Sequence, residues 1–220
     1  MTLAHLNGYA FHSDFPYLDL LPRKEFEQYQ HVFKPKGYLY SVFGGMIDGI
    51  AQLELYKIVW MVRDPRDILV SSYYSAAFSH PLPGRRSNKK VDFLEKRKYA
   101  QDISIDQYVL EESTEVRQIY ERYFELLLNK IPTAYVTKYE DMVTNHNEWL
   151  NNLLNYCELN VDDTLKKQLI QENQRLKPKS EDIRNHNRKG QPGDYKEKLK
   201  PETIAQLNTT FANILERLNY

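Results

Sequence analysis

Residues 56–75, YKIVWMVRDPRDILVSSYYS, decide the fold. Positions 56–62 form a short, nearly continuous apolar run rich in β-branched and aromatic side chains, the pattern of a parallel strand covered on both faces. The run stops at Arg63. Asp64 is a good helix N-cap, Pro65 suits the first helical position because no N–H is needed there, and Asp67 falls at the positive end of the helix dipole. The stretch therefore predicts a buried strand running straight into a helix. In open α/β sheets this junction is where ligands bind, and its free backbone N–H groups favour anions.

Arg63 is the fixed cation at that mouth. Ser71 lies two turns into the helix on the face of Asp67, where its hydroxyl can meet an oxyanion also held by Arg63. Taken alone, Arg63-Asp64-Pro65-Arg66-Asp67 reads equally well as a charged helix start with local ion pairs.

The chain has 220 residues, of which 41% are hydrophobic and 27% charged, enough for one substantial core and a single domain over 1–220. Thirty Lys and Arg balance thirty Asp and Glu, so no general nucleic-acid binder is indicated. The single cysteine, Cys157, cannot pair within the chain and sits in a helical pattern, where a buried structural thiol is expected; it leaves the redox compartment unconstrained and fits a reducing cytoplasm. No apolar run approaches the roughly 20 residues that cross a bilayer, and residues 1–5, MTLAH, lack the basic start of a signal peptide. A cytoplasmic location is expected.

Before the central stretch, Asn7-Gly8, Pro16, Pro22 and Pro35 break the chain into short pieces, with helical character only over 23–33. His5, His12 and His31 show no metal-ligand spacing, and no metal site is expected. Positions 37–43 read as a second short strand ended by Gly44-Gly45, and 47–55 as a helical return, a βαβ rhythm. Positions 79–104 carry Pro81, Pro83 and Gly84 and then many cations, including Arg85, Arg86, Lys96, Arg97 and Lys98. They read as a long loop, either a solvated basic surface or a lid over an anionic donor.

Val116, Ile119, Tyr120, Tyr123, Phe124, Leu127 and Leu128 have the spacing of an amphipathic helix, closed by Pro132. Positions 133–139 alternate and predict the next parallel strand, ending at Tyr139-Glu140-Asp141. Helices are expected around Trp149 to Leu154 and over 164–174. Positions 185–200, NHNRKGQPGDYKEKLK, bring cations close to two glycines, a loop able to wrap N–H groups and charges around a phosphate. Pro201 opens a terminal helix carrying Ile204, Leu207, Phe211, Leu215 and Leu218.

Three of these segments, in order, resemble sulfotransferases that use 3′-phosphoadenosine 5′-phosphosulfate (PAPS). Arg63-Asp64-Pro65-Arg66-Asp67 followed by Val70-Ser71-Ser72-Tyr73-Tyr74 resembles the family's 3′-phosphate motif, whose Arg and Ser fall here on Arg63 and Ser71. Tyr139-Glu140-Asp141 resembles the segment whose Tyr lies by the adenine. Arg188-Lys189-Gly190 with Gly193-Asp194-Tyr195-Lys196 resembles Arg-Lys-Gly-x-x-Gly-Asp-Trp-Lys, Tyr195 replacing Trp. In the family the Arg-Lys-Gly portion closes over the same phosphate.

The resemblance implies a three-layer α/β fold, a parallel sheet flanked by helices and related to P-loop kinases. It implies in-line transfer of a sulfuryl group from PAPS to a hydroxyl or amine of a small-molecule or carbohydrate acceptor, leaving adenosine 3′,5′-bisphosphate (PAP), with no metal required. Implied cofactor contacts are Arg63, Ser71, Tyr139, Arg188, Lys189 and Gly190.

Two family parts are missing from the sequence. The Lys-Thr-His string that carries the base in many members does not occur, which leaves the base open among His31, Asp48, Glu54 and His80. The 5′-phosphosulfate loop, Pro-Lys/Arg-Ser-Gly-Thr/Ser-Thr, does not occur either; Gly44-Gly45 and Gly190 lack the neighbouring Lys-Ser/Thr pair. The chain is thus expected to be an N-terminally incomplete domain without its first strand and loop, or a degenerate member. A catalytically inactive PAP/PAPS-binding member, or a small-molecule kinase on the related fold, stand as alternatives; the kinase would need the same loop and usually Mg²⁺. The acceptor and the oligomeric state stay open.

Overall fold

Asp64 starts a helix as its sequence context demands: its side chain accepts the Arg66 N–H, and Pro65 occupies the first turn. This is a computed structural model describing residues 10–12, 27–34, 37–40, 49–82, 90–178, 180–185 and 188–220. Its strands are β1 (Ala10–His12), β2 (Tyr38–Tyr40), β3 (Val59–Val62) and β4 (Tyr135–Lys138). Its helices are α1 (Pro65–Tyr74), α2 (Lys90–Asp102), α3 (Ile105–Tyr123), α4 (Tyr139–Thr144), α5 (His146–Tyr156), α6 (Asp163–Leu176), α7 (Tyr195–Lys198), α8 (Pro201–Thr210) and α9 (Ala212–Leu218). β1 and β2 pair in parallel with Ala10 opposite Tyr38, and β3 pairs with β4.

The chain divides into two compact units. The first holds Met1–Trp60, Tyr123–Thr137 and Asn147–Glu172; the second holds Met61–Arg122, Lys138–His146 and Asn173–Tyr220. In the first, Leu53, Leu127 and Ile131 form a buried cluster to which Ile58 and Trp60 add. The Trp60 ring stacks on Tyr123 at 5.3 Å between centroids and meets Phe124 edge-on. In the second, α1 buries Leu69 and Val70, and its Tyr73 packs edge-on against Tyr108 of α3. Leu207, Phe211 and Ile214 of the C-terminal helices are also fully buried.

Four elements differ from expectation. β3 is not covered on both faces: Val59 and Met61 are 37% and 43% exposed while Val62 is buried, the alternation of a strand with one open face. The expected basic loop over 79–104 is largely helix, with a π-type turn at Ser75–Ser79 followed by α2, and 83–89 outside the described residues. Its Lys, Arg and Glu are good helix formers. Ala100 is buried, and Arg97 and Gln101 donate to the Ala76 and Ala77 carbonyls at 3.2 and 2.7 Å, so polar bonds anchor α2 where an apolar stripe would normally signal a helix.

The helical return over 47–55 is, in its described part, a turn through left-handed Gln52 into a single 3₁₀ turn at Leu53–Leu55. The single terminal helix is interrupted at Phe211, which leaves helical dihedrals and separates α8 from α9. Among the described residues no helix is long and apolar enough to cross a membrane.

Candidate active site

The backbone passes from β3 into α1 at Arg63 and Asp64, and side chains from distant elements hold that turn. Tyr120 of α3 donates its hydroxyl to the Arg63 carbonyl and accepts the Arg63 N–H at 3.3 Å. Glu140 of α4 accepts the Asp64 N–H at 2.9 Å and the Tyr220 hydroxyl at 2.7 Å. Burial pushes both phenols up, and for Tyr220 the bond to Glu140 adds to it, so both remain protonated donors. Asp64 grips Arg66 with both oxygens, at 2.9 Å to Nε and 2.6 Å to Nη2, and Arg66 Nη1 donates to Asn208 of α8 at 2.6 Å. A buried two-pronged pair of this kind fixes orientation as well as charge.

Arg63 is different. Its guanidinium lies over the Tyr139 ring at 4.5 Å, and its Nε is buried without a hydrogen-bond partner among the described residues. A buried donor left unmade costs free energy that an anion would recover. The chemistry of the position fits an anionic cofactor group.

Asp67, Ser71 and Tyr74 recur at i, i+4 and i+7 and so share one face of α1. Asp67 is fully buried and accepts the Gly193 N–H at 2.6 Å and the Tyr195 N–H at 3.0 Å. Gly193 sits at φ +81°, a left-handed turn open to glycine, which aims both N–H groups at one carboxylate. At the other end of this loop the Arg188 guanidinium covers the Tyr74 ring at 4.2 Å. Residues 188–195 are thus pinned along the α1 face at Asp67 and at Tyr74, with Ser71 between the two. Arg66 stacks on the Tyr195 ring at 4.2 Å, joining the loop to the strand-helix turn as well.

The loop carries its own counter-charges. Arg188 pairs with Glu181 and Asp194, and Lys189 reaches Asp194 at 2.9 Å and Glu197 at 2.5 Å. Burial of Asp194 opposes its ionisation, but hydrogen bonds from Arg188 and Lys189 outweigh it and hold the carboxyl below its ordinary value. Burial pushes the Asp67 carboxyl up, against the pull of its two N–H bonds.

A sequence model described as the sulfotransferase domain matches residues 51–219. The chain belongs to the sulfotransferase family. Its α/β fold class is that of the family. A search of curated proteins gave no match. Among solved structures the chain is similar to the crystal structure of mouse sulfotransferase SULT7A1 complexed with PAP, at 18% identity and a TM-score of 0.47. That likeness covers 81% of this chain and 64% of the mouse chain, less than two-thirds of the latter's length.

All six residues that sulfotransferase resemblance singles out lie in the second unit: Arg63, Ser71, Tyr139, Arg188, Lys189 and Gly190. Gly190 has φ +60°, and a Cβ there would stand 3.1 Å from Pro178 Cδ, so both conformation and space call for glycine. The described base candidates are divided between the two units. His80 is exposed in the second unit with Nδ1 at 2.9 Å from the Pro81 carbonyl, whereas His31 and Glu54 are exposed in the first. Asp48 lies outside the described residues.

Sequence reasoning missed the anchors. Asp67 was legible as dipole chemistry, not as the acceptor for a loop 126 positions away. Glu140 and Tyr220 meet across 80 positions, and no period or motif announces such a pair. The Asp64–Arg66 pair was readable as the local ion pair that a charged helix start favours.

Proposed function

We propose that this sulfotransferase chain binds PAPS by its 3′-phosphate end and serves sulfuryl transfer to a hydroxyl or amine of a small-molecule or carbohydrate acceptor. The observation that carries this reading is the buried Nε of Arg63, unpartnered among the described residues, on a turn tied down by Tyr120 and Glu140. Arg63 and Ser71 hold the 3′-phosphate, Tyr139 flanks the adenine, and Arg188, Lys189 and Gly190 close over the phosphate from the loop. When bound, PAPS supplies the sulfuryl group, and PAP is what remains. The clustered motif residues bind and orient the 3′ end of the nucleotide.

A second reading is favoured by one observation: no Pro-Lys/Arg-Ser-Gly-Thr/Ser-Thr string occurs in the 220 residues. Donors preorganised at the departing phosphate are worth about 10²–10³ in rate each, so binding with little turnover fits the residues present. Sulfur-labelled PAPS incubated with pools of hydroxyl and amine acceptors separates the two. Labelled product establishes the transferase, retention of nucleotide without product establishes the binding protein, and neither retention nor product overturns both.

A further inference from the structure

Tyr74 carries two cations on its ring: Arg188 Cζ at 4.2 Å from the centroid and Lys198 Nζ at 5.8 Å. One carboxylate joins them. Glu181 Oε1 accepts from Arg188 Nη1, and Glu181 Oε2 accepts from Lys198 Nζ at 2.9 Å. An anion that puts one oxygen on each of two cations meets the same demand that two oxygens of a phosphate would meet.

Arg188 has a second carboxylate partner, Asp194, and the two are not equivalent. The Asp194 side chain is 1% exposed, against 29% for Glu181. Asp194 is also held by Lys189, at 2.9 Å. Releasing Asp194 would strand a buried charge, whereas Glu181 regains water as it leaves, and pairs at such partly solvated positions are weak. A phosphate monoester brings about −1.5 to −2 charges to the cations where Glu181 brings one.

We propose that Glu181 is a built-in competitor for the phosphate site, and that Lys198, outside the motif residues, is a further phosphate ligand. The 3′-phosphate displaces Glu181 from Arg188 and Lys198 together, while Asp194 keeps its hold on the loop. This rests on the reading that places Arg188 at the 3′-phosphate.

Calorimetric titration with PAP and with adenosine 5′-phosphate tests it on the whole chain and on Glu181→Gln, Lys198→Ala, the double variant and Arg188→Ala, each first checked for an intact thermal transition. Glu181→Gln is expected to tighten PAP roughly two- to fivefold, the worth of a partly exposed ion pair. Lys198→Ala in the Glu181→Gln background is expected to weaken PAP about tenfold, with adenosine 5′-phosphate unchanged throughout. If Arg188→Ala weakens PAP while Glu181→Gln leaves it unchanged or weaker, the competitor is overturned and the site stands. If Arg188→Ala also has no effect, the reading of the site fails along with it.

Discussion

The Tyr195 N–H donates to Asp67 at 3.0 Å across 128 positions of sequence, and the Gly193 N–H joins it on the same carboxylate at 2.6 Å. These two bonds set the C-terminal loop against α1, the helix that carries Ser71. A carboxylate in the first turn of a helix thus fixes where a loop distant in sequence lies.

Asp67→Asn keeps one acceptor oxygen for two N–H donors and turns an NH₂ group toward the other. A buried donor left unpaired costs about 1–3 kcal/mol, so urea unfolding is expected to show a loss of that size. Limited proteolysis should cut within 188–195 faster than in the parent. Equal stability and equal cleavage would show that the loop is held elsewhere.

Gly193 has φ +81° and nothing within 4 Å of where a Cβ would stand, so Gly193→Ala isolates the backbone cost. A left-handed alanine costs about 1–2 kcal/mol, and that is the expected loss in a denaturant melt. Gly190→Ala adds a contact of 3.1 Å with Pro178 to a similar strain and should cost more. The reverse order would contradict the loop geometry.

Tyr195 is buried against the Arg66 guanidinium, and no described partner takes its hydroxyl. Tyr195→Phe should therefore change stability by less than about 0.5 kcal/mol, whereas Tyr195→Ala should cost about 3 kcal/mol and weaken PAP by loosening the loop. Unchanged PAP affinity in Tyr195→Ala would mean that the loop does not serve the nucleotide.

Acid should act through the same loop. Asp194 is held low by Arg188 and Lys189 against its burial, and Glu181 is held low chiefly by the hydrogen bond from Lys198. Such carboxyls give their full stability above their unfolded values, about 3.9 and 4.3, and lose it as pH falls through the lower folded ones. Asp67 runs the other way: burial raises it, so its contribution shrinks as pH rises from about 3.9 to the folded value. Thermal midpoints are expected to fall below about pH 4, and Asp194→Asn should lower the midpoint at neutral pH while making the acid fall shallower. An identical acid fall in both proteins would remove Asp194 from this role.

What the sequence revealed was local. The Asp64-Pro65 helix start, the strand after Pro132 and the Gly190 and Gly193 turns each follow from residues within a few positions of one another. α2 stayed hidden because Arg97 and Gln101 anchor it through backbone carbonyls, leaving no apolar stripe to read. Three motif segments were legible as candidates for a site, but the bonds that link them, Asp67 to Gly193 and Glu140 to Asp64 and Tyr220, are long-range polar contacts with no periodic trace. Arg63 looked like one of four charged residues at the helix start, and its buried Nε, unpartnered among the described residues, set it apart.

Arg63 is therefore the residue whose removal separates 3′-phosphate binding from other contacts to the nucleotide. Calorimetric titration of the chain and of Arg63→Ala, each with PAP and with adenosine 5′-phosphate, isolates the 3′-phosphate. Arg63→Ala is expected to cost on the order of 2–4 kcal/mol with PAP and to leave adenosine 5′-phosphate nearly unaffected. Equal losses for the two nucleotides, or none for PAP, would contradict it.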